Sequence, residues 1–274
     1  MPKVSKVGKR PLEGRRIVIT RPAGQAGAFA SLLEELGAEA VAAPLVEIAP
    51  PGDWAPLDAA IGRLESYHWL IFTSANGVKF FAGRLAALGV AARAVPAACR
   101  IMAIGPATAK AVEEALGRPA DAVPGKFVAE GILELLDGES MRGKRVLIPR
   151  AAEAREILPD TLRERGAEVE VVHAYRTVPA PGDASEALRR ALAAGRVDMV
   201  AFTSSSTVRS FARALGSAFL KEHRGRFRVA SIGPVTTGTA RELGLDPEVE
   251  AGASTTAGLA EAIAAFYTRG GREG

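Results

Sequence analysis

The chain has 274 residues, 48% of them apolar and 24% charged, with 35 Lys and Arg against 31 Asp and Glu. Such a composition belongs to a globular protein of one large domain or two ordinary ones, not to a disordered or fibrous chain. No apolar run is long enough for a membrane span, the start lacks a signal-peptide core, and a single cysteine (Cys99) excludes an intrachain disulfide, so a cytoplasmic protein is expected.

Residues 1–14, basic and containing Gly and Pro, read as a partly disordered lead-in. Ile17–Thr20 is a short buried strand, and Ala28–Leu36 has helical spacing that stops at Gly37. A second strand covers Ala40–Val46, after which Pro50, Pro51 and Gly52 break the pattern. A helix near Leu57–Leu64 leads to a strand at Trp69–Thr73 and a helix from Asn76. Arg100–Ile104 is a strand, and Pro106 opens a helix where its missing N–H costs nothing. Ala120–Val123 is a short strand, followed by an amphipathic helix at Val128–Leu136.

The second half repeats this order. Arg16–Pro22 matches Arg145–Ala151 and Leu36–Val41 matches Arg165–Glu170, both at an offset of 129 residues. Trp69–Val78 returns as Met199–Val208 at 130, and Ile104–Ala109 as Ile232–Thr237 at 128. Nearly constant spacing over four blocks means a duplicated unit. The last element is a helix at Thr256–Tyr267. Alternating strands and helices at this spacing predict an α/β fold: two doubly wound, five-stranded parallel sheets in flavodoxin-like order. Pro44–Pro50 and Ala174–Pro179 resist the alternation and read as extended, Pro-bounded connectors able to pair with each other. The residues alone leave a simple split near Gly138 open.

Ligands of such sheets sit at the carboxyl ends of the strands. The loops there are Thr20-Arg21, Thr73–Asn76, Gly105–Thr108, Pro149-Arg150, Thr203–Ser206 and Gly233–Thr236. Orphan N–H groups at the helix starts behind them favour anions. Asn76 and Ser206 are expected to cap those helices, leaving Thr73, Ser74, Ala75, Ser204 and Ser205 to offer donors to carboxylates. Arg21 and Arg150, equivalent under the repeat, suit two-pronged carboxylate binding or are solvated surface residues.

Other signals carry little. Gly138–Lys144 has phosphate-loop spacing but precedes its strand, and Arg145 replaces the required Ser or Thr. No Gly-x-Gly-x-x-Gly follows a strand, and His68, His173 and His223 lack ligand spacing, so neither a dinucleotide nor a metal is expected. Cys99 reads as a core residue, and Tyr67 and Tyr267 as structural. The net charge of +4 fits an anionic ligand, but diffuse basicity without interleaved aromatics speaks against nucleic acid. No amphipathic face is left over for a partner, so a monomer is expected.

The doubled strand–Thr-Ser–helix block, the paired Ile-Gly-Pro-x-Thr blocks and Val172–Val178 together resemble uroporphyrinogen-III synthase, from about Arg16 to the last helix. The resemblance implies two flavodoxin-like domains, 1–46 plus 178–274 and 47–177, joined by a two-stranded connector with the active site in the cleft between them. It implies closure of linear hydroxymethylbilane to uroporphyrinogen III, with loss of water and inversion of ring D, and no metal or organic cofactor. Tyr175 matches the tyrosine position that family uses in catalysis, and Thr108 and Thr236 match its Thr after Ile-Gly-Pro. The bland readings are an interfacial tyrosine and two helix-capping threonines. From another class, a two-lobed small-anion binding or sensor protein without catalysis also fits the residues.

Overall fold

The computed structural model describes residues 10–270. In chain order the elements are β1 (Arg16–Ile19), α1 (Ala23–Glu35), β2 (Glu39–Ala42), β3 (Val46–Ala49), α2 (Ala55–Ile61), β4 (Trp69–Phe72) and α3 (Ala75–Ala87). Next come β5 (Arg100–Ala103), α4 (Pro106–Leu116), α5 (Ala129–Leu135), β6 (Arg145–Ala151), α6 (Ile157–Glu164) and β7 (Glu168–Pro179). The chain closes with α7 (Ala184–Ala193), β8 (Met199–Phe202), α8 (Ser205–Leu215), α9 (Ser217–Glu222), β9 (Arg228–Ser231), α10 (Pro234–Glu242), β10 (Val249–Glu250) and α11 (Thr256–Gly270). By contacts it divides into two compact units, Met1–Glu47 with Val178–Gly274, and Ile48–Thr177.

The first unit is built on a parallel sheet ordered β10-β9-β8-β1-β2. Strand β1 pairs with both β2 and β8, setting Ile17 opposite Met199 far along the chain. Period-2 alternation then serves two cores. Ile17 and Ile19 enter one cluster with Phe29, Leu33 and Ile263, while Val18 enters the other with Phe202, Phe211 and Leu215. A strand buried on both faces must be apolar throughout, which is why Ile17–Ile19 and Met199–Phe202 read as unbroken runs.

The second unit repeats the plan, with sheet order β3-β7-β6-β4-β5. Trp69 and Ile71 of β4 face one core, Leu70 and Phe72 the other. The expected strand at Ala120–Val123 shrinks to one parallel bridge, Met102 with Ala122. The Ala174–Pro179 segment is the end of β7, a strand of twelve residues that crosses from one unit to the other at Thr177 and Val178. Its neighbour in the sheet is β3, from the Pro44–Pro50 segment.

Other expectations shift by a turn or more. Helix α1 begins at Ala23, five residues ahead of the expected start, because burial of Ala26 and Phe29 offsets the poor propensity of Gly24 and Gly27. Residues 1–9 of the expected lead-in lie outside the described residues. Leu12, however, is fully buried, and its N–H donates to the Leu36 carbonyl at 3.0 Å. That contact ties 10–14 to the end of α1.

Candidate functional site

In the Ile48–Thr177 unit, the candidate residues gather at the carboxyl ends of β4, β5 and β6. Strand β4 runs into α3 through Ser74, whose extended backbone (φ −166°, ψ 154°) and Oγ, accepting from the Gly77 N–H at 3.0 Å, make it the helix cap. The cap is therefore two residues earlier than the expected Asn76, which lies inside the first turn. The register follows from Gly77. A Cβ there would come within 2.8 Å of the Pro149 carbonyl oxygen, so the first turn of α3 is pressed against β6.

Ser74 has a second partner. Its Oγ lies 2.9 Å from the hydroxyl oxygen of Tyr175. Tyr175 is 7% exposed, and burial raises its hydroxyl pKa above the ordinary tyrosine value. The Glu153 charge pushes the same way, while hydrogen bonds with Ser74 and Asn76 pull it partly back. The group is a neutral hydrogen-bond donor and a poor acid.

Thr73 and Ala75 flank that cap and are partly buried. Gly105 caps α4 with extended backbone and Phe127 packed over it, Pro106 takes the first helical position, and Thr108 follows in the first turn, 4% exposed. Arg150 departs from both of its readings. It is neither a solvated surface residue nor a free carboxylate clamp, being 3% exposed, donating to the Arg155 carbonyl at 2.7 Å and paired with Glu156. Only its Nε lacks a partner. Local chain after β6 has taken the guanidinium over.

The other unit carries the counterpart set. Ser204, with φ −167° and ψ 157°, caps α8 by accepting from the Thr207 N–H at 3.3 Å. Ser206, expected as the cap, instead lies in the first turn with its Oγ 3.0 Å from that of Ser204. Ser205 bridges helices, donating to the Val235 carbonyl and accepting from Thr239 at 2.8 Å. Gly233 caps α10, Pro234 follows, and Thr236 sits in its first turn, 4% exposed. Arg21 is the freer of the two arginines: its Nη2 reaches Gln25 at 3.4 Å, its Nε has no partner, and burial lowers its pKa. The preceding Thr20 is fully buried with an unpartnered hydroxyl.

Two further features escape sequence reading. Phe80 stacks on Tyr175, with ring centroids 5.8 Å apart. A hydroxyl chain joins Ser231 and Thr237 at 2.5 Å and ends on Glu250, fastening α10 to β10. A helical spacing of four residues from Asn76 to Phe80 was the available signal for the first; nothing in the sequence marked the second. Among the described residues no cluster of three or more His, Cys, Asp and Glu could hold a metal ion. Burial pushes the Cys99 thiol up to about 11, which leaves it an unreactive core residue.

The profile of the HEM4 family, uroporphyrinogen-III synthase HemD, matches residues 27–261. A uroporphyrinogen-III synthase of Synechococcus elongatus is 39% identical over 264 residues, covering 94% of this chain and 97% of its own. Another, from Chlorobaculum parvum, is 28% identical over 253 residues, 91% of this chain and 99% of its own. In fold the chain is similar to a crystal structure of a mutant uroporphyrinogen III synthase from Thermus thermophilus. The TM-score is 0.68 at 24% identity, covering 95% of this chain and 100% of that one.

Proposed function

The chain belongs to the uroporphyrinogen-III synthase family, and from that membership we propose that its strand-end loops hold the linear tetrapyrrole while Tyr175 assists departure of the hydroxyl. The activity is closure of hydroxymethylbilane to uroporphyrinogen III, with ring D inverted and water released, in tetrapyrrole biosynthesis. A binding protein without catalysis is not favoured, since full-length similarity is to enzymes.

The observation that carries the residue assignment is the Tyr175 hydroxyl, buried and 2.9 Å from the Ser74 that caps α3. As the substrate's C–O bond breaks, charge grows on the leaving oxygen. A neutral phenol donating to that oxygen stabilises it without having to ionise, which the raised pKa disfavours. The substrate bears carboxylate arms, and the first turns of α3, α4, α8 and α10 present N–H groups to them. Arg21, Thr108 and Thr236 add side-chain donors on this reading. Most of the catalysis is then positioning, worth several kcal/mol when geometry is tightly held.

The reading includes a monomer acting in the cytoplasm; the single buried, unreactive cysteine fits such a reducing compartment. Among the described residues no helix is long and apolar enough to cross a membrane. The test is incubation with freshly prepared hydroxymethylbilane. The type III product is expected; type I alone, the product of unassisted closure, would overturn the assignment.

A further inference from the structure

On the reading of Tyr175 given above, the aim of its hydroxyl depends on strand β7, which holds one extra residue against β6. Arg150 faces His173, but Ala151 faces Tyr175. Such a bulge breaks the in–out alternation and re-aims the side chain that follows it. Ala174 and Tyr175 are accordingly buried in succession, 0% and 7% exposed.

The re-aimed ring meets α3. Phe80 stacks on it at a centroid distance of 5.8 Å and 21° between planes. Trp54 stacks in turn on Phe80, at 6.4 Å and 29°. Over Trp54 lies the Arg84 guanidinium, 5.0 Å from the ring centroid and locked to Asp58 by two hydrogen bonds of 2.6 Å. Asn76 and Phe80, four residues apart, share one face of α3. A single helix face thus gives the Tyr175 hydroxyl a hydrogen bond and its ring a wall. The ring also belongs to the core cluster of Phe72, Val78 and Val172, so the Phe80 face adds one packed side to a ring already anchored in the core. Trp54 and Phe80 also line a cavity of about 370 Å³, together with Lys79, Gly83, Arg84 and Ala87.

We propose that Phe80, backed by Trp54, is a positioning residue that sets where the Tyr175 hydroxyl meets the departing oxygen. The test compares Phe80→Leu, Phe80→Tyr, Tyr175→Phe and the Phe80→Leu/Tyr175→Phe double variant, with ¹³C-labelled tyrosine resonances read in parallel. Phe80→Leu should lower kcat about twofold to tenfold, the worth of one aromatic pair, with KM unchanged. Phe80→Tyr should restore the rate, and the double variant should be no slower than Tyr175→Phe. The Tyr175 ring resonance, assigned by its loss in Tyr175→Phe, should move in Phe80→Leu as the ring current disappears. Trp54→Leu, at the outer end of the stack, should give a smaller change of the same kind and serves if Phe80→Leu fails to fold. If Tyr175→Phe is impaired while Phe80→Leu leaves the resonance unmoved, or slows the Tyr175→Phe background as much as the parent, the positioning role is overturned by itself. Full activity of Tyr175→Phe would instead overturn the reading of Tyr175, and with it the catalytic use of the stack.

Discussion

On the function proposed above, Tyr175 concentrates the chemistry that single residues decide. Replacing it with Phe removes one hydrogen bond to a group that gains charge, costing about 1–3 kcal/mol of barrier, or roughly fivefold to 150-fold in rate. Steady-state kinetics on hydroxymethylbilane check this, and total loss of activity would contradict the positioning account. The chain has three tyrosines, and burial raises all of them, Tyr67 and Tyr267 to about 12. Unfolded, each titrates near ~10. Above that pH the folded chain holds more protons than the unfolded one, so stability falls as pH rises. The tyrosine contribution is thus fully present below pH ~10 and lost progressively as pH climbs towards 12. Phenolate absorbance should stay flat through the ordinary tyrosine range, and denaturant midpoints should drop on its alkaline side.

At the scale of elements, the junctions between strand and helix matter most. Gly77→Ala would push the start of α3 off the Pro149 carbonyl, at about 1–3 kcal/mol of overpacking. Better helix propensity returns at most ~1 kcal/mol, so a net loss should appear in thermal melts. Activity should fall with it, because Ser74 rides on that turn. Ser74→Ala and Ser204→Ala each remove a cap, worth about 0.5–2 kcal/mol. Melts should show similar losses for the two, while only Ser74→Ala also takes a hydrogen bond from the Tyr175 hydroxyl. The kinetic penalty of Ser74→Ala should therefore be the larger.

On the scale of the whole molecule, each core cluster stays within one unit. The two that hold Phe72 and Trp69 draw only on residues between 48 and 177, and the two that hold Val18 and Ile17 only on the remainder. Residues 48–177, expressed alone, should consequently fold cooperatively, as circular dichroism melts would show, and should not make the type III product. A non-cooperative melt would mean that the cores depend on each other despite being separate. The other unit is assembled from two distant segments, because β1 takes β8 as its neighbour. Deleting 10–46 should unfold that unit.

Much was written in the chain itself: alternating strands and helices, and their duplication at an offset near 129 residues. These follow from local periodicity and from repetition, which need no knowledge of distant contacts. Cap positions were missed by two residues, since Ser, Thr and Asn compete on nearly equal terms over one short loop. Close approach of Gly77 to β6 decides between them. Arg150 and Arg21 look alike in sequence, yet one is buried and spent on Arg155 and Glu156 while the other reaches Gln25 at 3.4 Å. The bulge that turns Tyr175 towards Phe80 has no local signature at all. The cap and the bulge arise where two elements far apart in the chain press on each other, and only tertiary packing chooses the partner.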